Sequence, residues 1–192
     1  IAADVVIGAT GALMVEATSQ ADGRALATAL STNTSSDTGV AAAVGLNIVL
    51  LDNIAEVGAG ADLTADSIAV RAVTPAGQKN TFQARALSGA ASKATAVGGS
   101  ISVNYLDLDT RASVGDDAAL DANAGDIDID ATSLNEIQSI AGGAALSTSS
   151  GTGLGVAVAI NIVNDLNTKA EVGTGVTAEA SGAIGVTAHA EL

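Results

Sequence analysis

No cysteine and no tryptophan occur in this 192-residue chain, and proline, phenylalanine, tyrosine, methionine and histidine occur once each. Without cysteine there is no disulfide, so cohesion must come from packing and backbone pairing, which a long β-ladder supplies. No Cys/His metal spacing, Gly-x-Ser-x-Gly turn or phosphate-binding loop is present. The single histidine, His189, lies near the chain end, a poor start for general acid–base work. Bases are scarce, with 7 Lys and Arg against 21 Asp and Glu and a formal net charge of −14. That balance opposes nucleic acid, whose binding rests on neutralised phosphates, and it opposes anionic lipid surfaces. No run of about 18 strongly apolar residues exists, so no helix is expected to insert in a membrane. A sugar-lined cleft of the kind some β-helix enzymes use needs more aromatics and bases than this, and no enzymatic activity is expected.

What the chain does have is aliphatic and small. Hydrophobic residues make up 48%, nearly all Ala, Val, Ile and Leu, beside 22 Gly. Such apolar content excludes disorder. Alanine favours helices, but here it alternates with Val, Ile, Thr and Ser at period two. Val5, Ile7, Ala9 and Ile101, Val103, Tyr105 are strand patterns. Ser31–Thr38 and Ser147–Gly153 punctuate them as turns, and the chain reads as all-β. The acidic surface fits solubility and protection of sheet edges.

The same phrase returns about every 57 residues. Asn47–Ile54 with Ala55–Gly58 matches Asn104–Arg111 with Ala112–Gly115, and then Asn161–Lys169 with Ala170–Gly173. Self-similarity at a long period marks a repeat architecture, whose units usually act as extended surfaces or spacers. Aligned columns follow: Val44, Ile101, Val158; Leu46, Val103, Ile160; Ile48, Tyr105, Ile162; and the polar column Asn47, Asn104, Asn161. Further columns are Val57, Val114, Val172; Leu63, Leu120, Val176; Ile68, Ile127, Ile184; and Val70, Ile129, Val186. The triplets Ala29–Ser31, Ala86–Ser88 and Ala145–Ser147 recur in the same way, and Val5, Leu13, Val15 and Ala17 match Val176, Ile184, Val186 and Ala188. The repeats run approximately 1–43 (partial), 44–100, 101–157 and 158–192 (partial) of a single segment. The chain opens on Ile1 without an initiator Met or signal-peptide pattern, and reads as a fragment or mature segment.

The expected fold is a wide, flattened right-handed parallel β-solenoid (β-helix), with about one coil per 57 residues and roughly 3.3 coils. In the second copy the strand-rich stretches are Leu63–Val73, Thr81–Ala91 and Val97–Val114. Equivalent residues then stack about 4.8 Å apart, like on like. A round coil of roughly 190 Å contour would enclose empty space, which close packing forbids, so the coil must flatten. Three coils of about 19 residues are the alternative, but residues that far apart do not match. Val44, Leu46 and Ile48 face one side of their strand, and Ala43, Gly45, Asn47 and Val49 the other. This strand is expected to be covered on both faces, with the Val44, Ile101 and Val158 stacks in the core. Val103→Asp is accordingly expected to disorder the middle coil.

Stacked Asn amides hydrogen-bond along a parallel ladder, so the Asn column reads as structural rather than as a ligand face. Asp52, Asp107, Asp109, Asp116, Asp117 and Asp165 cluster after that strand, and calcium takes several such oxygens. The Gly-Gly-x-Gly-x-Asp nonapeptide of calcium-binding β-rolls is missing, so Ca²⁺ is at most adventitious and no cofactor is expected. Asp126, Asp128 and Asp130 alternate with Ile127 and Ile129 as the solvent face of one strand. A flat Thr array for ice binding is not met, because Val73 interrupts the Thr18, Thr74, Thr132 column.

The phrases Ser102–Asp116 and Gly153–Asn161, with Ala131–Ser133 and Ile140–Ala144, resemble repeats of filamentous-haemagglutinin-like and leukotoxin-type filamentous adhesins of bacterial surfaces. The resemblance spans essentially the whole chain and implies an exported, extracellular β-solenoid fibre without catalytic residues. It implies a structural and adhesive stalk whose partners are neighbouring repeats, with a host-cell or surface receptor held by other parts of the parent protein. A subunit that stacks identical copies end to end into a filament is the second expectation, and a glycan- or ice-binding face the third.

Overall fold

A computed structural model describes residues 1–192 as thirteen strands and no helix. They are β1 (Val6–Gly8), β2 (Ala12–Thr18), β3 (Asp22–Asn33), β4 (Thr38–Val57), β5 (Asp62–Ala65), β6 (Ser67–Val73) and β7 (Asn80–Ser92). β8 (Thr95–Val114), β9 (Ala119–Ala122), β10 (Ile127–Ser147), β11 (Thr152–Val172), β12 (Thr177–Ala180) and β13 (Ile184–Glu191) follow. The stretches Leu63–Val73, Thr81–Ala91 and Val97–Val114 thus fall on strands, the first split at Asp66.

Every pairing is parallel, and no strand pairs with its sequence neighbour. The sheets run β1-β5-β9-β12 and β4-β8-β11, with a third built on β10. The first part of β10 lies between β6 and β13, and its second part continues the β3-β7 pair. Partners stand a nearly constant distance apart in sequence, from 55 residues (Ala12 with Ser67) to 59 (Asp22 with Thr81). The aliphatic columns pair as the spacing requires: Leu13, Ile68, Ile127 and Ile184 form one row, and Val15, Val70, Ile129 and Val186 another.

Two columns need correction. Leu120 pairs with Ala178, not Val176, because the register shift between Val163 and Asp165 in β11 adds one residue and the corners before β9 and β12 are equally long. The Ala-Leu-Ser triplets do not align either, since Ala29 pairs with Ser88 and Ala90 with Ala145. The slips are two residues between the first two triplets and four between the second and third, both even, which keeps each side chain on its proper face.

The buried volume is wedge-shaped in section. At the wide end a cluster of 16 buried residues, including Val57, Leu63, Ile68, Val70, Leu120, Ile127 and Ile129, fills the space between β5, β6, β9 and the end of β8. Each such Val, Leu or Ile contributes about 1.5–3 kcal/mol by leaving water. Toward the other end β7 lies face to face on β8, and the inward residues of β8 shrink stepwise. From Leu108 and Leu106, packed on Phe82, they pass through Asn104, Ser102 and Ser100 to Gly98 and Ala96. At the closest approaches of the two sheets only glycine fits. A Cβ on Gly45 would stand 2.7 Å from the Arg85 carbonyl oxygen, and one on Gly98 would collide with that of Ala144.

That close approach inverts the expected core face. Val44, Leu46 and Ile48 are 65%, 54% and 60% exposed, whereas Ala43 and Ser102 are buried. Ile101, Val158, Ile160 and Ile162 are exposed too, with Val103 and Tyr105 half-buried. The strand is covered on its small-residue face only. The physical reason is volume: two sheets separated by Gly, Ala and Ser leave no room for branched side chains between them. Ala159, on the outermost strand, is exposed with the rest of β11 as far as Asp165. Val103→Asp therefore loses its rationale, and the matching lesion belongs at Val70 or Ile129.

The corner between β4 and β5 recurs with a left-handed residue in every repeat. Asp4, Gly60, Asp117 and Gly175 have φ of 58°, 67°, 57° and 72°. Asp and Gly alternate there because both tolerate that conformation.

Candidate functional site

Asn47, Asn104 and Asn161 form one ladder on the inward face of β4, β8 and β11. Asn47 Nδ2 donates to Asn104 Oδ1 at 3.2 Å, and Asn104 Nδ2 donates to Asn161 Oδ1 at 2.9 Å. The same Nδ2 lies 2.8 Å from the Gln138 carbonyl oxygen, bridging to the opposing sheet. Asn104 is wholly buried, so this ladder ties two sheets together rather than presenting a ligand face.

A second asparagine ladder escapes the 57-residue spacing. Asn80 Nδ2 donates to Asn135 Oδ1 at 3.0 Å, and Asn135 Nδ2 donates to the Glu191 carbonyl at 3.2 Å. Asn80 Oδ1 in turn accepts from the Ala21 backbone amide at 2.9 Å. The pair stands 55 apart because the loop before β7 is longer than the matching bend in β10. Its signal in the sequence is Asn two residues before a large apolar side chain, Phe82 or Ile137.

The acidic residues divide into capped and open ones. Asn164 Nδ2 donates to Asp107 Oδ2 at 3.1 Å, and Asn167 Nδ2 to Asp109 Oδ1 at 3.2 Å. Asp116 Oδ1 accepts from Thr174 N at 2.7 Å and Asp126 Oδ1 from Ala183 N at 2.7 Å, so each fastens a corner of the next repeat. Asp52 pairs in register with Asp109, and Asp107 with Asp165. No group of three or more His, Cys, Asp or Glu side chains is placed to hold one metal ion. Asp128 and Asp130 point outward from β10 as the alternation requires, and Val73 stands between Thr18 and Thr132 in register. His189 Nε2 lies 3.3 Å from the Glu191 carboxylate on the surface.

The largest chemically distinctive surface is the outer face of β4-β8-β11. Its rows are Val44, Ile101, Val158; Leu46, Val103, Ile160; and Ile48, Tyr105, Ile162, extended by Val40, Val97 and Leu154 toward the narrow end. Beyond Tyr105 the same face turns charged through Asp107, Asp109 and Arg111. A shallow depression among Glu56, Arg111, Ser113, Asp116 and Glu171 lies on that charged part. The apolar and charged halves share one flat sheet, so the face is an aliphatic panel with a polar border.

No protein-family model matches the chain, and neither the curated proteins nor the solved structures compared with it give a match.

Proposed function

We propose that the chain is a segment of a long extracellular β-solenoid fibre or stalk of a bacterial surface protein, with a mechanical and adhesive role. In this reading the strands wind as a wide, flattened right-handed parallel solenoid, about one coil per 57 residues and roughly 3.3 coils in all. The observation that carries it is the near-constant register of the three sheets, from 55 to 59 residues, with no strand paired to its sequence neighbour. Such ladders extend indefinitely in one direction, and each added repeat is stabilised by its neighbours alone. The resemblance of Ser102–Asp116 and Gly153–Asn161 to adhesin repeats supplies the surface location, and receptor recognition falls to other parts of the parent protein.

A second reading, a subunit stacking end to end into a filament, is favoured by the unpaired outer edges of β4 and β11. Long open edges are templates for further strands, whether of the same chain or another copy. Electron microscopy of chains carrying one, two and three copies of residues 44–157 tests the stalk. Particle height should grow by about 4.8 Å per coil; particles whose dimensions ignore the copy number would overturn it. Long jointed rods from the 192-residue chain alone would assign the ends to filament contacts instead.

A further inference from the structure

We infer that the outer aliphatic face of β4-β8-β11 is a lateral pairing surface for the same face of a second copy, with strands antiparallel across a two-fold axis at Ile101. The face is unpartnered although it carries Val44, Leu46 and Ile48 well exposed on one ladder and Val158, Ile160 and Ile162 on another. Three observations select a second copy as its occupant.

The first is repetition. Each ladder presents a similar aliphatic row at the strand spacing of about 4.8 Å, and a partner that meets every row needs the same axial repeat. Another copy has it.

The second is charge. With the two-fold axis along the strands, Asp107 and Asp109 of one copy would meet the same carboxylates of the other. With the axis along the stacking direction, the narrow end of one copy, with Lys93 in the bend between β7 and β8, is brought over the charged end of the other, with Asp109. Lys93 is free to pair there: its side chain is 60% exposed and its contact with Asp37 is a loose 4.0 Å. Only the antiparallel arrangement places opposite charges at the border of the panel.

The third is area. Three strands over Val40–Leu50 make a panel of roughly 500 Å², below the ~800 Å² per partner of a standard interface. Pairing of this short segment is therefore weak and strengthens with every added coil, as suits laterally bundled fibres. The inference goes beyond the stalk reading and depends on the face alone.

Sedimentation equilibrium of the 192-residue chain from about 1 μM to 1 mM tests it. The expected result is a monomer–dimer equilibrium that stops at two copies. Ile101→Lys sets like charges against each other on the axis and should weaken pairing at least ~10-fold with an unchanged far-UV circular dichroism spectrum. Should that variant misfold, Lys93→Glu at the exposed tip should weaken pairing about threefold, and adding Asp109→Lys should restore it. That rescue separates a specific dimer from general apolar aggregation. A monomer at every concentration overturns the inference. So does association indifferent to both Ile101→Lys and the charge exchange, which would place contact at the edges of β4 and β11 and leave the filament reading standing.

Discussion

Replacing Asn104 should separate the two sheets of the narrow end more effectively than any surface change. Its amide donates to Gln138 O and Asn161 Oδ1 and its carbonyl accepts from Asn47, with the residue wholly buried. Asn104→Ala removes these three bonds, each worth about 0.5–1.5 kcal/mol net, the one to the Gln138 carbonyl being only part-buried. Asn47 keeps its contact with Gly23 O, and Asn161 lies at the open edge where water replaces the loss. A total near 3 kcal/mol follows. With a urea dependence of about 2 kcal/mol per molar, the midpoint of unfolding falls by roughly 1.5 M. Midpoints are the proper measure, because repeat ladders need not unfold in one step.

Asn104→Asp sharpens the test. A carboxylate cannot donate to Gln138 O or Asn161 Oδ1, and burial among oxygens raises its folded pKa above the unfolded value of about 3.9. A raised acid destabilises fully above its folded pKa, and the penalty shrinks as pH falls through that value. At pH 7 Asn104→Asp should therefore melt below Asn104→Ala, and the gap between the two should close as the pH is lowered toward 4. Urea titrations followed by far-UV circular dichroism, with the parent chain measured at each pH, read both effects. A midpoint for Asn104→Ala within about 0.3 M of the parent, or an Asp variant no worse than Ala at pH 7, would refute the load assigned to this ladder.

Four further outcomes are expected. Gly98→Val drives a side chain into the Ala144 carbonyl and should cost at least 1–3 kcal/mol by thermal melting. Ile129→Thr, in the wide core, should cost about 2–3 kcal/mol, whereas Ile101→Thr on the outer face should cost under ~1 kcal/mol at dilute concentration. Gly60→Ala, at φ 67°, should lose about 1–2 kcal/mol and Asp117→Gly almost nothing, by the same melts. Raising NaCl from about 10 mM to 0.5 M should raise the melting temperature, because a net charge of −14 repels itself while the three Lys–carboxylate ion pairs all sit on exposed side chains.

Much of this architecture is legible in the chain because stacking like on like writes the register directly into the sequence. Asn47, Asn104 and Asn161 announce their ladder by spacing, and Ile68, Ile127 and Ile184 theirs. The second asparagine ladder is hidden by a local slip: the stretch Thr74–Lys79 delays Asn80, while β10 passes from β6 to β7 without a break. The direction of the core is the harder inference. Period two separates Val44, Leu46, Ile48 from Ala43, Gly45, Asn47 without saying which set is inside. Hydrophobicity favours the first set and available volume the second, and volume prevails wherever backbones meet. Glycine at 45, 98 and 155 is the trace of that contact, readable once its neighbours across the gap are known. The wide end holds no such conflict, since Val70 and Ile129 are both apolar and large enough to fill it.

In β4, β8 and β11 the hydrogen bonds point along the direction in which the strands stack. Tension applied that way strips an outer strand bond by bond instead of shearing all its bonds together. Each stripped repeat gives up about 4.8 Å of folded height and releases roughly 190 Å of extended chain. Serving as the stalk proposed above, such a chain would lengthen locally by about forty-fold while the repeats behind it stay folded, since each leans only on its neighbours. It would hold force near a plateau under sudden load, yielding slack one repeat at a time where a stiff rod would detach.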